Sequence, residues 1–183
     1  MPDADLTLTG GAVMLRQWRL IDANWYAATV HDPEIQRYTT ESPTLTAAEV
    51  RAAIVALADQ PNAVGFVICE AATGRRQGNI ALRHEASVGE VSYWVPASVR
   101  GRGVATWALR LVSDWAFAML ELSVIRLWTH ADNVASRLVA ERAGYRRAPD
   151  DDQRRMIKGQ IWDTVGYLRA APDLASRHRR ATP

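Results

Sequence analysis

The residues best suited to hold a charged ligand are the glycines and arginines of the segment Arg100-Gly101-Arg102-Gly103. This segment lies between a predicted strand, Val88 to Val95, and a predicted long helix that begins near Val104. Glycines let successive backbone N–H groups turn toward an anion, and the amino end of a helix adds partial positive charge. The pattern is therefore compatible with a phosphate or pyrophosphate site. Taken alone, the spacing fits a glycine-containing turn with solvated arginines better than it specifies a diphosphate.

Hydrophobic periodicity and capping signals predict the elements that position this loop. Strands are predicted at 12–18, 64–69, 78–82, 88–95, 124–129 and 161–168, with a further short strand at 145–147 left open. Helices are predicted from Asp22 to Val30, from the Thr46–Glu49 capping box to Pro61, from Val104 to Leu120, and from Asp132 or Asn133 to Arg142. Strands interrupted by single long helices indicate an α/β protein with a mixed sheet and not a regular βαβ repeat.

Composition and charge are those of an ordinary globular domain. The chain has 183 residues, of which 48% are hydrophobic and 23% charged, with a formal net charge of +2. Without repeats or a composition break, we predict a single domain over 1–183, with its core at about 12–169 and a basic, flexible tail at 170–183. The modest charge argues against nucleic acid as a partner. The scattered histidines and the single Cys69 show no metal-ligand spacing, so no metal is expected.

The amino-terminal and apolar segments favour a cytoplasmic location without membrane contact. No apolar run approaches the roughly 20 residues that a membrane-spanning helix requires. The acidic start, Met1 to Asp5, lacks the basic-then-apolar layout of a signal peptide.

Four further segments accompany the glycine loop in a fixed order. They are Glu90-Val91-Ser92-Tyr93-Trp94-Val95-Pro96 before it, then Asn133-Val134-Ala135-Ser136, Glu141-Arg142-Ala143-Gly144-Tyr145, and Trp162-Asp163 with Val165-Gly166-Tyr167. Together with Arg100-Gly101-Arg102-Gly103-Val104-Ala105, they resemble the motifs of the GCN5-related N-acetyltransferases (GNAT), especially the RimJ/RimL branch that acetylates ribosomal-protein N-termini. The resemblance extends from about Met14 to Leu168.

The resemblance implies a fold and a cofactor. The expected fold is the GNAT fold, an α/β architecture with a central mixed, mostly antiparallel, splayed β-sheet flanked by helices; the expected cosubstrate is acetyl-CoA. In this family the pyrophosphate rests on loop amides, here those of Arg100, Gly101, Arg102, Gly103, Val104, Ala105 and Thr106. The pantetheine arm pairs with the end of the preceding strand, here Trp94 and Val95, and is positioned by Asn133. For Asn133, a plain helix cap is the alternative.

Amide formation needs a neutral amine, so a base must remove a proton and a donor must stabilise the leaving thiolate. The resemblance implies Glu90 as a catalytic base and Ser136 as the hydroxyl donor, and Ser136 also as a cofactor contact. Many members carry a tyrosine seven positions after the asparagine, but Ala140 stands there. A salt-bridged or solvated strand-edge glutamate and a cap-adjacent serine remain the alternatives, and Glu141 is a weaker candidate.

The expected activity is N-acetyl transfer from acetyl-CoA to a primary amine by direct attack in a ternary complex. The acceptor is either a protein N-terminal α-amino group or a small-molecule or antibiotic amine. Since Ala140 replaces the common tyrosine, a non-catalytic acyl-CoA-binding regulatory module is the alternative of another class. The acyl group is also open, because longer CoA thioesters fit the same loop. A homodimer is expected from the resemblance alone.

Acceptor specificity is expected in the loops near 22–45 and 148–160. Trp18, Trp25 and Trp94 either pack in the core or shape an acceptor pocket. The acidic run 150–152 either attracts a cationic acceptor or forms a solvated loop.

Overall fold

The computed structural model describes residues 6–172, in which nine strands form one mixed sheet with helices against both faces. The strands are β1 (Thr7–Gly10), β2 (Val13–Gln17), β3 (Ala63–Glu70), β4 (Arg76–Glu85), β5 (Val88–Trp94), β6 (Val124–His130), β7 (Arg146–Arg147), β8 (Gln153–Ile157) and β9 (Gln160–Ala170). The helices are α1 (Ala23–Thr29), α2 (Pro33–Tyr38), α3 (Ala47–Leu57), α4 (Val104–Met119) and α5 (Val134–Arg142).

Every predicted strand and α-helix is present, and among the strands and α-helices of the described residues β1, α2 and β8 were not predicted. Residue 170 of the predicted tail ends β9, whereas residues 173–183 lie outside the described part of the chain. No helix between residues 6 and 172 is long and apolar enough to cross a membrane.

The sheet divides where β5 meets β6. Its order is β1-β2-β3-β4-β5-β6-β9-β7, with β8 added to β9, and every pairing is antiparallel except that of β5 with β6. The parallel pairing joins only 88–90 to 124–126, after which the two strands diverge. The expected mixed, mostly antiparallel, splayed sheet is thus confirmed. From Val91 to Trp94, β5 pairs with β4 on one edge while its other edge opens into the gap.

Alternation along β5 directs its side chains to two different layers. Val91 packs in the main core, together with Ala108 and Val112 of α4. Trp94 packs on the opposite face, in a smaller cluster with Val30 and Ile35 of the α1–α2 segment. Since side chains two apart in a strand share a face, Glu90 and Ser92 face the α1–α2 side as well.

The contacts of Asp22 show that one prediction about the α1–α2 side was wrong. It was predicted to cap the first helix, but its side chain makes no capping bond to α1. It is fully buried and instead accepts hydrogen bonds from Arg16 (2.7 and 2.9 Å), from Nε of Arg76 (2.6 Å) and from the amide of Arg19 (3.0 Å). Burial acts to raise the pKa of Asp22, but these donors outweigh it and lower the pKa to about 2. The ionised carboxylate therefore fastens the start of α1 to β2 and β4.

Candidate functional site

A cleft of about 510 Å³ opens where β5 and β6 diverge. Its walls come from β4, β5 and β6, from the loop before α4 with the first turn of that helix, from α5, and from α2 with the segment that follows. The predicted site residues that line it are Glu90, Trp94, Val95, Arg100, Gly101, Gly103, Val104, Ala105, Thr106, Asn133 and Ser136. Arg102 is exposed and does not line the cleft. Segments far apart in the sequence therefore meet at one cleft.

The glycine loop has the backbone that an anion site needs. Gly101 and Gly103 have φ angles of 73° and 76°, in the left-handed region that favours glycine. A Cβ at Gly103 would meet nothing closer than Trp107 Cδ1 at 4.0 Å, so conformation, and not lack of space, calls for glycine. α4 begins directly after Gly103 without a side-chain cap. Its first amides, at Val104 to Thr106, thus border the cleft, where the positive end of a helix favours an anion.

Arg100 has a partner that the sequence did not indicate. Its guanidinium lies 2.6 Å from Oδ1 of Asp32, the N-cap of α2, and 3.7 Å from Oε2 of Glu34. Asp32 also accepts a hydrogen bond from the amide of Ala97 (3.2 Å). Arg100 therefore anchors the loop to α2, and part of its charge is neutralised there. Arg102 forms no ion pair with any residue of the described chain, so its charge is not neutralised in this way.

Asn133 is a helix cap, as its alternative interpretation predicted. Its Oδ1 accepts a hydrogen bond from the amide of Ser136 (3.0 Å) at the start of α5. The cap fixes the side chain at the cleft wall, and its Nδ2 group donates to no residue between 6 and 172. The cap therefore leaves the Nδ2 donor of a cleft-lining residue unused by the described chain, so capping and ligand contact are compatible.

Ser136 is paired with a phenol that sequence reasoning missed. Its Oγ lies 2.9 Å from Oη of Tyr93, and Tyr93 also donates to the Ser136 carbonyl oxygen at 3.2 Å. Burial raises the pKa of Tyr93, with the Ser136 hydrogen bond acting in the opposite direction. Tyr93 thus remains a protonated donor beside Ser136. The position where many family members carry a tyrosine, Ala140, is fully buried in the core.

Glu90 is exposed at the point where the sheet divides. It lies opposite Arg83 in the β4 register and opposite Arg126 in the β6 register. It forms an ion pair with neither, and Arg126 instead approaches Asp151 at 3.7 Å. The salt-bridged alternative for Glu90 therefore does not hold within residues 6–172, and its carboxylate borders the cleft. Glu141, the weaker candidate, accepts a bond from Tyr167 (3.2 Å) and does not line the cleft.

Four aromatic rings form a contiguous cluster beneath the end of β5. Ring-centroid distances of 4.9 to 6.3 Å join Trp18, Trp25, Tyr26 and Trp94. Trp94 is the member that lines the cleft, although its side chain is largely buried. Trp18 and Trp25 are thus packed within the cluster, and Trp94 also lies at the cleft wall; that it shapes an acceptor pocket stays a prediction.

Glu41 also lines the cleft beside this cluster, and sequence reasoning did not single it out. Its Oε1 accepts hydrogen bonds from the Tyr26 hydroxyl (2.5 Å) and from Nε1 of Trp94 (3.1 Å). The acidic run 150–152 was the sequence candidate for attracting a cationic acceptor. Two of its residues pair with arginines of this chain: Asp152 pairs with Arg147 at 2.7 Å, and Asp151 approaches Arg126.

Comparison with known proteins identifies the family to which this cleft belongs. Residues 12–146 match the family model described as "Acetyltransferase (GNAT) domain". The chain belongs to the GNAT acetyltransferase family. The enzyme class expected from the motifs, an acyl-CoA-dependent acyltransferase, is the class of this family.

One curated relative and two solved structures are similar to this GNAT protein. It is 31% identical over 78 residues to "Putative ribosomal N-acetyltransferase YdaF" of Bacillus subtilis, a match that spans 43% of each protein. The structure of Mycobacterium smegmatis RimJ in complex with CoA-disulfide superposes with a TM-score of 0.79 at 23% identity, covering 98% of this chain and 94% of that one.

Vibrio cholerae spermidine N-acetyltransferase in complex with CoA and spermine gives a TM-score of 0.78 at 18% identity, with coverage of 88% and 97%. At these identities the two solved structures show a shared fold. The GNAT fold expected from the sequence is thereby confirmed.

Proposed function

We propose that this GNAT protein transfers an acetyl group from acetyl-CoA to a primary amine by direct attack in a ternary complex, with a protein N-terminal α-amino group as acceptor. The observation that carries the proposal is the cleft itself. One opening holds an uncapped helix amino end, an unpaired strand edge, a carboxylate and a serine hydroxyl.

The residues present fit acetyl-CoA. The amides that follow Gly101 and Gly103 suit the pyrophosphate, and Arg102 adds charge beside them. The open backbone edge of β5 near Trp94 and Val95 suits the extended, amide-containing pantetheine arm, because such an edge pairs with an added strand. Asn133 offers its side-chain amide to the same arm. When bound, acetyl-CoA supplies the thioester whose carbonyl carbon the amine attacks.

The chain's own groups account for the protons. Glu90 takes a proton from the incoming ammonium, which leaves the neutral amine that forms the C–N bond. Unpaired N–H groups of β5 beyond Glu90 stabilise negative charge on the carbonyl oxygen. As the C–S bond breaks, the Ser136 hydroxyl donates its proton to the leaving sulfur and regains one through solvent from the nitrogen of the new C–N bond, so the products are the amide and the free CoA thiol. For this step the Tyr93 hydroxyl donates its single proton to Ser136 Oγ in place of the Ser136 carbonyl oxygen, which leaves the serine O–H for the sulfur.

The preference for a protein N-terminus is supported by relatives. The curated relative's name refers to ribosomal N-acetyl transfer, and the motifs resemble the RimJ/RimL branch. A small-molecule amine is the second candidate, because the fold is equally similar to a spermidine N-acetyltransferase.

A thiol-release assay with acetyl-CoA separates the candidates. The acceptors are peptides with free N-termini, the same peptides with blocked N-termini, and a set of small primary amines. We expect thiol release only with free N-termini, matched by the mass gain of one acetyl group on the peptide. Release with small amines alone would favour the second candidate. If the protein binds acetyl-CoA but releases no thiol with any amine at saturating acetyl-CoA, acetyl transfer is contradicted and a binding module is favoured.

A further inference from the structure

Glu41 is a carboxylate at the cleft wall that the transfer steps above do not use. It lies in the segment between α2 and α3, and it is half-buried against the aromatic rings of Tyr26 and Trp94. Two donors hold one of its oxygens, Oε1, so the orientation of the carboxylate is fixed. Its second oxygen, Oε2, receives no hydrogen bond from any residue in the 6–172 range.

No basic side chain of the described chain neutralises Glu41. None lies within ion-pair distance of it, and the Lys158 ammonium, at the tip of the β8–β9 hairpin, bonds instead to the carbonyl oxygen and Oε1 of Gln36 (2.8 and 2.9 Å). Burial lowers the pKa of Lys158, and the charge of Glu41 opposes that shift, so Lys158 lies near Glu41 but makes no ion pair with it. An oriented anion beside aromatic rings is an environment that favours an ammonium or guanidinium group.

Glu41 and Glu90 lie at opposite ends of the same wall. Glu90 and Trp94 share one face of β5 and are four residues apart, which corresponds to roughly 13 Å along the strand. Because Glu41 is bonded to the Trp94 indole, the two carboxylates are attached near opposite ends of this stretch of β5.

We propose that Glu41, held between Tyr26 and Trp94, binds a cationic group of the acceptor other than the amine that is acetylated. The group is an alkylammonium or a guanidinium, carried either by a small di- or polyamine or by a lysine or arginine side chain of a peptide. This site rests on the proposed function and adds to it a preference for acceptors with two positive charges.

The test compares matched acceptors in wild-type protein and in Glu41→Gln. Glutamine keeps an oxygen for the Tyr26 hydroxyl and the Trp94 N–H, so it removes the charge while retaining those bonds. One acceptor pair is a peptide with lysine or norleucine near its free N-terminus; the other is an alkyl diamine and the monoamine of equal length. Thiol release gives kcat and KM for each acceptor. Mass spectrometry identifies the nitrogen that is acetylated.

We expect wild-type protein to prefer the doubly charged member of one pair by about tenfold or more in kcat/KM, which corresponds to about 1.4 kcal/mol. Glu41→Gln should remove most of that preference through KM, with little change for the singly charged acceptor or for the KM of acetyl-CoA. The pair that shows the preference identifies the source of the cation. The wild-type preference should also fall as ionic strength rises.

Glu85→Gln is the matched control, since it removes one exposed carboxylate at the end of β4, outside the cleft. It should leave the preference unchanged. If wild-type protein shows no preference, or if Glu41→Gln lowers both members of a pair equally, Glu41 only positions Trp94 and the cation site is wrong. Thiol release with the singly charged acceptors tests the proposed acetyl transfer independently of the Glu41 site. If no acceptor is turned over, acetyl transfer itself is contradicted and the Glu41 site falls with it.

Discussion

Gly103→Trp is expected to weaken CoA binding by about 100-fold or more, a loss of about 2.7 kcal/mol in binding free energy. The indole would project from the residue that immediately precedes α4, where the pyrophosphate is proposed to meet the helix amides. A side chain at φ 76° also strains the loop, at a cost of about 1–2 kcal/mol. Isothermal titration of CoA into the wild-type and variant proteins measures the change.

A second glycine separates the ligand effect from the backbone strain. Gly74, in the turn between β3 and β4, has nearly the same φ of 71°, and a Cβ there would meet nothing within 4 Å. Gly74→Trp therefore carries a similar strain away from the cleft and should bind CoA as the wild type does. Equal weakening in both variants, or an affinity within threefold of wild type for Gly103→Trp, would show that the pyrophosphate is bound elsewhere.

Ser136→Ala is expected to lower kcat by about 100-fold, at the low end of the contribution of a positioned proton donor. The KM of acetyl-CoA should change little, because the Asn133 cap bond goes to the backbone amide of Ser136 and survives the substitution. Steady-state thiol release gives both constants. An unchanged kcat would leave Ser136 as a structural residue.

Tyr93→Phe tests whether the phenol acts through Ser136. We expect a smaller fall in kcat than for Ser136→Ala, and no additional fall when the two changes are combined. The Ser113–Tyr145 pair provides a control, since these hydroxyls lie 2.7 Å apart in the core and do not line the cleft. Tyr145→Phe should alter thermal stability but not kcat. Independent, additive effects of Tyr93→Phe and Ser136→Ala would contradict positioning by Tyr93.

The features that local sequence predicts are those with local causes. The loop before α4 was predicted as a glycine-containing turn followed at once by an amphipathic helix, and both glycines do adopt left-handed φ angles. The Thr46–Glu49 capping box forms as predicted, with Thr46 N donating to Glu49 Oε2 at 2.8 Å and Glu49 N to Thr46 Oγ1 at 3.3 Å. Each depends on residues only a few positions apart.

The missed features depend on partners distant in sequence. Tyr93 and Ser136 are 43 residues apart, Glu41 and Trp94 are 53 apart, and Asp32 and Arg100 are 68 apart. No local pattern could pair them without the topology of the sheet. For Asp22, the local sequence predicted a helix cap. The sheet instead brings Arg16 and Arg76 within hydrogen-bond distance of its buried carboxylate.

One missed element did carry a usable local signal. α2 begins with Asp32 as its N-cap, with the side chain accepting hydrogen bonds from the amides of Glu34 (2.9 Å) and Ile35 (3.2 Å). Pro33 stands at the first helical position, where proline is favoured. The helix is only six residues long and has little apolar periodicity, so hydrophobic pattern alone does not predict it.

Hydrogen–deuterium exchange of the wild-type protein, with and without saturating acetyl-CoA, tests most directly whether the divided sheet is the cofactor site. Binding as proposed predicts slower amide exchange in two segments, 91–95 at the open edge of β5 and 101–106 at the start of α4. Exchange in the 71–76 turn, away from the cleft, should stay the same. Slowing confined to other segments, or none in these two, would contradict the cleft as the acetyl-CoA site.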